Sequence, residues 1–363
     1  MKEEKISTRQ LWFILFIMRS VLIVSFLSVL TSGNALQDVW ISAILVLIGS
    51  EVFVVLFSLL DIRFQNSNLI EYSQKILGTW MGKLLGLLFL WIFLQLSTIE
   101  IRIYGELLSA NFLPETPLTV IISGMIFVSM ICIYSGVEVL GRMADFLFPL
   151  FCIMILSIMI IPLPDIDWNN LQPVFQRGWN PIISGILTSI VFISQIWVLG
   201  MLSPNLVGGK KFWLPVTAIA VSLFLLILMS IIVVGVLGPY EGARSSFPIL
   251  TLMRSVELSQ FLQRTETLII FSWGMGLFIS VSTFLYCGAK GMAQWLNLID
   301  YRPLVFPMGT FWIFLSIYSF EDMFVLYTFL SPEIFAPYGL ILLVIPLFIL
   351  WIGYGIKVIS GKK

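Results

Sequence analysis

The feature that most constrains this chain is a succession of about ten apolar runs, each close to the length a helix needs to cross hydrocarbon. The approximate spans are 11–30, 39–60, 84–109, 118–137, 144–162, 182–204, 212–238, 266–289, 303–320 and 333–356. A membrane-crossing helix takes roughly 17–25 apolar residues. Isolated strands would leave backbone groups unpaired in lipid, so helix is the only option. The two longest polar interruptions, residues 61–83 and 239–265, follow the second and the seventh run. Five runs plus five, each half broken after its second member, is the pattern of an internally repeated, inverted scaffold. The expected fold is therefore an all-α integral membrane fold of about ten transmembrane helices in a 5+5 inverted repeat. It forms a single permease-like domain over residues 1–363, with a first repeat over about 11–162 and a second over about 182–356.

Composition closes off the alternatives. Hydrophobic residues make up 59% of the 363, charged residues 11%, and mean hydropathy is +1.03. A soluble domain carries about 25% charged residues, so lipid must be the solvent here. Twenty basic and twenty acidic residues cancel, and no polybasic surface invites nucleic acid. The chain contains no histidine, which removes imidazole bases, Ser–His and Cys–His pairs and histidine-ligated metals. Cys132, Cys152 and Cys287 are scattered within apolar runs without metal spacing and read as buried thiols. The run from Leu11 to Leu30 is longer than a signal-peptide core of roughly 7–15 residues, and no small-x-small cleavage site follows, so it reads as a retained first span.

Lysine and arginine set the orientation. With the N-terminus in the cytoplasm, fourteen of the twenty fall inside and four outside, namely Arg177, Arg244, Arg254 and Arg264; Arg19 and Arg102 lie within spans. Both termini are thus expected in the cytoplasm, with 61–83 on the inner face and 239–265 on the outer. Leu69–Leu77 and Phe247–Leu262 are amphipathic and read as surface helices that gate the bundle; two ordinary loops are the plainer alternative.

Charges inside lipid are costly and face a bundle interior or a cavity. Arg19, Glu51, Glu100, Arg102 and Glu106 are the candidates. Arg102 and Glu106 stand one turn apart and can pair along the helix face. Glu100 points about 200° away from Arg102, one turn from Tyr104, and reads either as a ligand or proton site or as a hydrogen-bonded core carboxyl. Span 6 carries Ser194-Gln195 ahead of Gly200 and Pro204, a place where a helix can open. Span 8 carries Gly274, Gly276, Ser280, Ser282 and Thr283. The adjacent hydroxyls of Ser282 and Thr283 suit a possible cation site, against the alternative that they bond back to their own helix. Gly78, Gly82 and Gly86 form a stripe that allows close helix approach. There is no P-loop, nucleophile elbow, dinucleotide fingerprint or acidic metal cluster, so neither a cofactor nor an enzymatic role is expected.

In order and spacing, several stretches carry a family resemblance. They are Ile6-Ser7-Thr8-Arg9-Gln10-Leu11, Gly78-Thr79-Trp80-Met81-Gly82-Lys83, Leu113-Pro114-Glu115-Thr116-Pro117, Gly136-Val137-Glu138-Val139-Leu140-Gly141-Arg142, Asp167-Trp168-Asn169-Asn170-Leu171-Gln172-Pro173-Val174 and Met201-Leu202-Ser203-Pro204. Through them the chain resembles the spore germination permease family, the B subunit of germinant receptors, within the amino acid–polyamine–organocation superfamily. The resemblance covers nearly the whole chain and implies a LeuT/APC-like fold. It departs at two places. The family's Gly-x-Gly in span 1 falls at Val21 and Ile23, and its Gly-Glu in span 6 falls at Ser194-Gln195. β-Branched residues stiffen a helix where glycine would let it open, and Gln keeps hydrogen bonding but loses the charge.

The resemblance implies a subunit of the inner spore membrane that binds a small germinant, an amino acid by expectation, between spans 1, 3, 6 and 8, and passes the signal to the A and C subunits. An amino-acid secondary transporter is the alternative on the same scaffold, and a ligand-free scaffold or permeation path is a third. The expected ligand-binding residues are Ser20, Val21, Ile23, Glu100, Tyr104, Ser194, Gln195 and Ser280, with Ser282 and Thr283 as the possible cation site and no metal ligands. The expected partners are the small-molecule germinant, the A and C subunits and the lipid bilayer.

Overall fold

A computed structural model describes residues 4–22, 35–256 and 265–360. The helices are α1 (Thr8–Leu22), α2 (Val39–Asp61), α3 (Leu69–Leu77), α4 (Thr79–Asn111), α5 (Leu118–Tyr134), α6 (Val137–Ile160), α7 (Trp179–Val191), α8 (Trp197–Leu202), α9 (Trp213–Leu237), α10 (Pro239–Arg244), α11 (Pro248–Ser255), α12 (Thr267–Trp295), α13 (Arg302–Tyr318), α14 (Met323–Phe329) and α15 (Pro332–Ile359). Seven helical stretches are long and apolar enough to cross a membrane. The bent pair α13–α14 makes an eighth, and α5 is a shorter apolar helix. With α1, whose expected continuation over 23–30 lies outside the described residues, these match the ten runs. Large apolar side chains such as Phe146, Ile153, Phe224 and Phe348 are exposed on the outer surface. An apolar outer surface of this kind is what membrane-crossing helices present to lipid.

Both long interruptions contain helices, each built from local chemistry. At the first, the Asn68 side chain accepts from the backbone N–H groups of Ile70 and Glu71, and the Glu71 carboxylate accepts from the Asn68 N–H. This reciprocal cap satisfies the orphan donors that start α3. Gly78, at φ +82°, ends α3 and starts α4, a conformation that glycine adopts without steric cost. A Cβ on Gly82 would sit 2.4 Å from the Gln74 Cα, while one on Gly86 would make ordinary contacts to Ile70 and Trp295. The glycine stripe thus folds α3 flat onto α4. At the second interruption Gly238, at φ +79°, turns α9 into α10. The amphipathic stretch expected from Phe247 is shorter than its pattern suggested: α11 begins at Pro248 and ends at Ser255, Val256 is extended, and 257–262 lie outside the described residues.

α12 is the central post, packed against α1, α4, α5 and α6, while α9 packs on α1 and α2, and α7 on α2 and α15. One end of the bundle gathers the groups expected on the inner face. Ile6 bridges to the segment after α8, through Ile6 N–H to Asn205 O (2.9 Å) and Val207 N–H to Ile6 O (3.0 Å). Glu4 accepts from Arg302 (2.6 Å) and from the Tyr301 hydroxyl (3.1 Å). Lys210 pairs with Asp61 at 2.8 Å.

Arg102 has the structural role its spacing offered. Its guanidinium donates to Glu106 (2.9 Å) and to the carbonyls of Ser316, Ile317 and Glu321. Those carbonyls close α13 just before the chain turns by 98° into α14. The ninth run is therefore not followed by a plain loop, and a side chain of α4 satisfies the backbone groups that the turn frees.

Candidate functional site

Span 6 changes character where the Ser-Gln pair stands. α7 runs to Val191, a 3₁₀ segment covers Phe192–Ile196, and α8 resumes at Trp197. Ser194 donates its hydroxyl to the Val191 carbonyl at 2.6 Å, which competes with the regular ladder. The expectation of a partly uncoiled wall is thus corrected in kind: the helix tightens to 3₁₀ rather than unwinding, and a mid-helix 3₁₀ stretch is itself a mark of a hinge or of strain. Downstream, Trp197 is fully buried and ringed by Phe53, Phe57 and Phe89 at centroid distances of 5.6, 4.7 and 4.9 Å. Gly200 lies against Leu69, Phe57 and Tyr72, where a Cβ would meet atoms at 3.0–3.3 Å. α8 is therefore clamped to α2, α3 and α4, and the 3₁₀ segment is the joint between α8 and α7.

The joint faces α4 and α12. Gln195 Nε2 donates to Glu100 Oε1 at 2.7 Å, and the Ser280 hydroxyl donates to Glu100 Oε2 at 2.5 Å. All three residues are buried. The structure so brings together Glu100, Gln195 and Ser280 from spans 3, 6 and 8, on the α4 face opposite Arg102. Burial of a carboxylate is tolerable only with such hydrogen bonds. Arg19 of α1 is fully buried and interacts electrostatically with Glu100, yet forms no hydrogen bond or ion pair among the described residues. Arg19 and Gln195 line a common void, walled by Leu15, Met18, Phe192 and Ile219, with room for the centre of about one water molecule, about 10 Å³.

The remaining expected residues fall around this cluster. Ser20 is buried and its hydroxyl lacks a partner among the described residues. Val21 packs where α1 meets α12: a Cβ on Gly276 would lie 2.7 Å from the Val21 Cβ, and 3.0 Å from Phe151. Val21 is thus a helix-contact residue outside the void, and Ile23 lies outside the described residues. Tyr104 packs edge-on against Trp273 (5.9 Å), and its hydroxyl sits 2.7 Å from where a Gly274 Cβ would be. Ser194 is turned onto its own backbone. Ser282 faces Cys132, and Thr283 donates to the Ile279 carbonyl at 2.6 Å. The 100° step of the helix sends these two hydroxyls to different neighbours, so they do not converge on one point. Glu51 of α2 is not among the groups that bond Glu100, and its buried oxygens have no hydrogen-bond partner among the described residues. Among the described residues no group of His, Cys, Asp and Glu has the arrangement of a metal site. Arg19 is the residue that span-by-span reasoning noted but left out of the site. The available signal was a mid-span arginine beside a serine.

A much roomier cavity, about 720 Å³, opens at the end that holds the N-terminal residues, between Glu4, Asn66, Asn205, Tyr286, Lys290 and Arg302. Tyr286 lies six residues along α12 from Ser280, an axial separation of about 9 Å. The polar cluster is thus about two helical turns from this vestibule and is itself closed.

Comparisons with known proteins agree with this architecture. The family described as spore germination protein matches residues 5–323. The chain is similar to spore germination protein KB of Bacillus subtilis (strain 168), with 28% identity over 325 residues covering 87% of this chain and 86% of that protein. It is also similar to spore germination protein A2 of the same strain, with 29% identity and 76% of each chain covered. Among solved structures it resembles MhsT in complex with L-phenylalanine, at TM-score 0.69 and 14% identity, with 93% of this chain and 89% of that chain covered. It also resembles Mhp1, a nucleobase-cation-symport-1 family transporter in a closed conformation with bromovinylhydantoin bound, at TM-score 0.63 and 14% identity, with 94% and 78% covered. The expected LeuT/APC-like all-α membrane fold is thereby borne out.

Proposed function

We propose that this chain, which belongs to the spore germination protein family, is the membrane-embedded subunit of a germinant receptor that binds a small amino acid at the Glu100–Gln195–Ser280 cluster. The observation that carries the reading is the meeting of three buried polar side chains from spans 3, 6 and 8 at the mid-span 3₁₀ joint Phe192–Ile196. A ligand seated there changes the contacts of the joint, and a ligand shifts a conformational equilibrium by its differential affinity for the two states. The signal then passes to A and C subunits in the inner spore membrane, with both termini of this chain in the cytoplasm. Nothing in the cluster suits bond-making chemistry, and the role is binding rather than catalysis.

Two measurements test this. In spores that depend on this receptor, Gln195→Leu is expected to abolish or retune the response while the protein still accumulates in the membrane. An unchanged dose–response curve would remove span 6 from the site. The second reading, secondary transport of an amino acid, is favoured by the likeness to MhsT. Gradient-driven accumulation of radiolabelled amino acid in proteoliposomes would support it, whereas saturable binding without flux supports the receptor.

A further inference from the structure

Two buried arginines in this bundle are treated in opposite ways. Arg102 spends its guanidinium on Glu106 and three backbone carbonyls. Arg19, fully buried, leaves Nε, Nη1 and Nη2 without a single hydrogen-bond partner among the described residues. A guanidinium stays charged in proteins and carries five N–H donors in a planar fork. Burying one without an anion is among the costliest arrangements a fold can hold. The neighbouring carboxylate, Glu100, does not relieve it: Glu100 accepts from Gln195 and Ser280, each of its oxygens keeps a further lone pair, and no hydrogen bond joins it to Arg19. The Gln195 Oε1 atom, on the same void as Arg19, is likewise an acceptor with no donor among the described residues.

We infer that Arg19 is the receptor for the carboxylate of the ligand, that Gln195 Oε1 and Glu100 take its ammonium, and that the ligand is an α-amino acid with an apolar side chain. This rests on the receptor reading above and assigns the chemistry of that same site. The unmatched atoms fix the occupant: a planar donor fork on α1 matches a carboxylate in two parallel hydrogen bonds, and an orphan amide oxygen beside a carboxylate matches a cation that donates. The rest of the wall, Leu15, Met18, Phe192 and Ile219, offers only apolar contact to whatever the amino acid carries beyond its α-carbon. The void holds about one water, so entry requires α1 to part from the 3₁₀ segment. The conformation described is closed around this void, and a bound carboxylate would satisfy donors that are unsatisfied in it.

The test uses the full chain in lipid nanodiscs. Thermal stability of the unmutated protein and of Gln195→Leu is followed against L-alanine, L-valine, L-leucine and L-phenylalanine, each beside its α-amide and its deaminated acid, and against glucose and inosine, with sodium chloride exchanged for sodium gluconate. At least one amino acid is expected to raise the melting temperature with concentration. Its amide should bind at least about tenfold more weakly, the factor expected for losing a hydrogen bond to a charged group. Arg19→Met should lose the response to the amino acid, and Arg19→Lys should retain part of it. An amide that binds as well as its acid, in the unmutated protein, overturns the inference even if no Arg19 variant folds. So does an Arg19→Met protein with unchanged affinity. Stabilisation by chloride alone, abolished in Arg19→Met, makes this a halide site and overturns the carboxylate assignment. Stabilisation by a sugar or nucleoside that depends on Gln195 leaves the receptor reading standing and sinks this one. No stabilisation by any compound sinks both.

Discussion

Lys210 and Asp61 offer the sharpest test of how the bundle is fastened at the end that holds the N-terminus. Their side chains are 1% and 2% exposed, the ammonium is 2.8 Å from the carboxylate, and it also donates to the Ser67 carbonyl at 2.9 Å. The Tyr72 ring lies 5.5 Å away. Burial pushes the Lys210 amine down and the adjacent Asp61 charge pulls it back up. Lys210→Met leaves Asp61 buried without its counter-charge, and breaking a buried pair from one side costs about 3–5 kcal/mol. With an unfolding entropy of about 2.1 cal/mol/K per residue over 363 residues, 4 kcal/mol corresponds to a drop of about 5 °C. Asp61→Asn should lower the melting temperature by a similar amount. Replacing both with apolar residues, Asp61→Leu with Lys210→Met, removes two buried charges together and should recover most of the loss, since such replacement is neutral or stabilising by about 1–4 kcal/mol. Thermal unfolding of the two single variants and the double variant closes the cycle. If the double variant lost the sum of the two single losses, the side chains would be acting independently and the reasoning would be wrong.

Other consequences follow from close contacts and burial. Gly276→Ala should destabilise the protein by about 1–3 kcal/mol, the usual cost of overpacking, because its Cβ would lie 2.7 Å from the Val21 Cβ; Val21→Gly in the same chain removes that atom and should recover part of the lost melting temperature. Gly82→Ala should be similarly harmful, with its Cβ 2.4 Å from the Gln74 backbone, whereas Gly86→Ala meets contacts of 3.5 Å or more and should be neutral or stabilising by the helix propensity it gains. Burial, and then the Glu4 carboxylate, push the Tyr301 phenol above its ordinary value. The unfolded phenol ionises near pH 10 while the folded one keeps its proton, so stability is full below that pH and falls as pH rises above it. In Tyr301→Phe, denaturation measured from pH 9 to 11 should show a shallower alkaline fall.

Much of this architecture was legible because membrane helices are long and their chemistry is local. The ten runs, the amphipathic stretch Leu69–Leu77 and the glycine stripe that begins at Gly78 all depend on neighbours in sequence. So does the division of labour on α4: two residues make a 200° step, so Glu100 and Arg102 had to find different partners, and they did. The partners themselves were not legible. Gln195 and Ser280 reach Glu100 from 95 and 180 residues away, and no periodicity encodes which faces of α7 and α12 meet α4. The fit of Val21 to Gly276 was hidden for the same reason, since a bulky residue on one helix and a gap on another look unrelated until the helices touch. The isolation of Arg19 was the least readable of all, because an unmet donor is a property of everything around it. The bend into α14 was missed because the side chain that satisfies its freed carbonyls, Arg102, sits more than two hundred residues earlier in the chain.

That last contact also makes α4 a lever. Glu100 and Arg102 hang from one continuous rod, two positions apart and on opposite flanks. Any roll of the rod that repositions the carboxylate at the joint must drag the guanidinium against the carbonyl cage of Ser316, Ile317 and Glu321. An event at the middle of the protein is in this way mechanically geared to the rim, where the ninth span turns into α14.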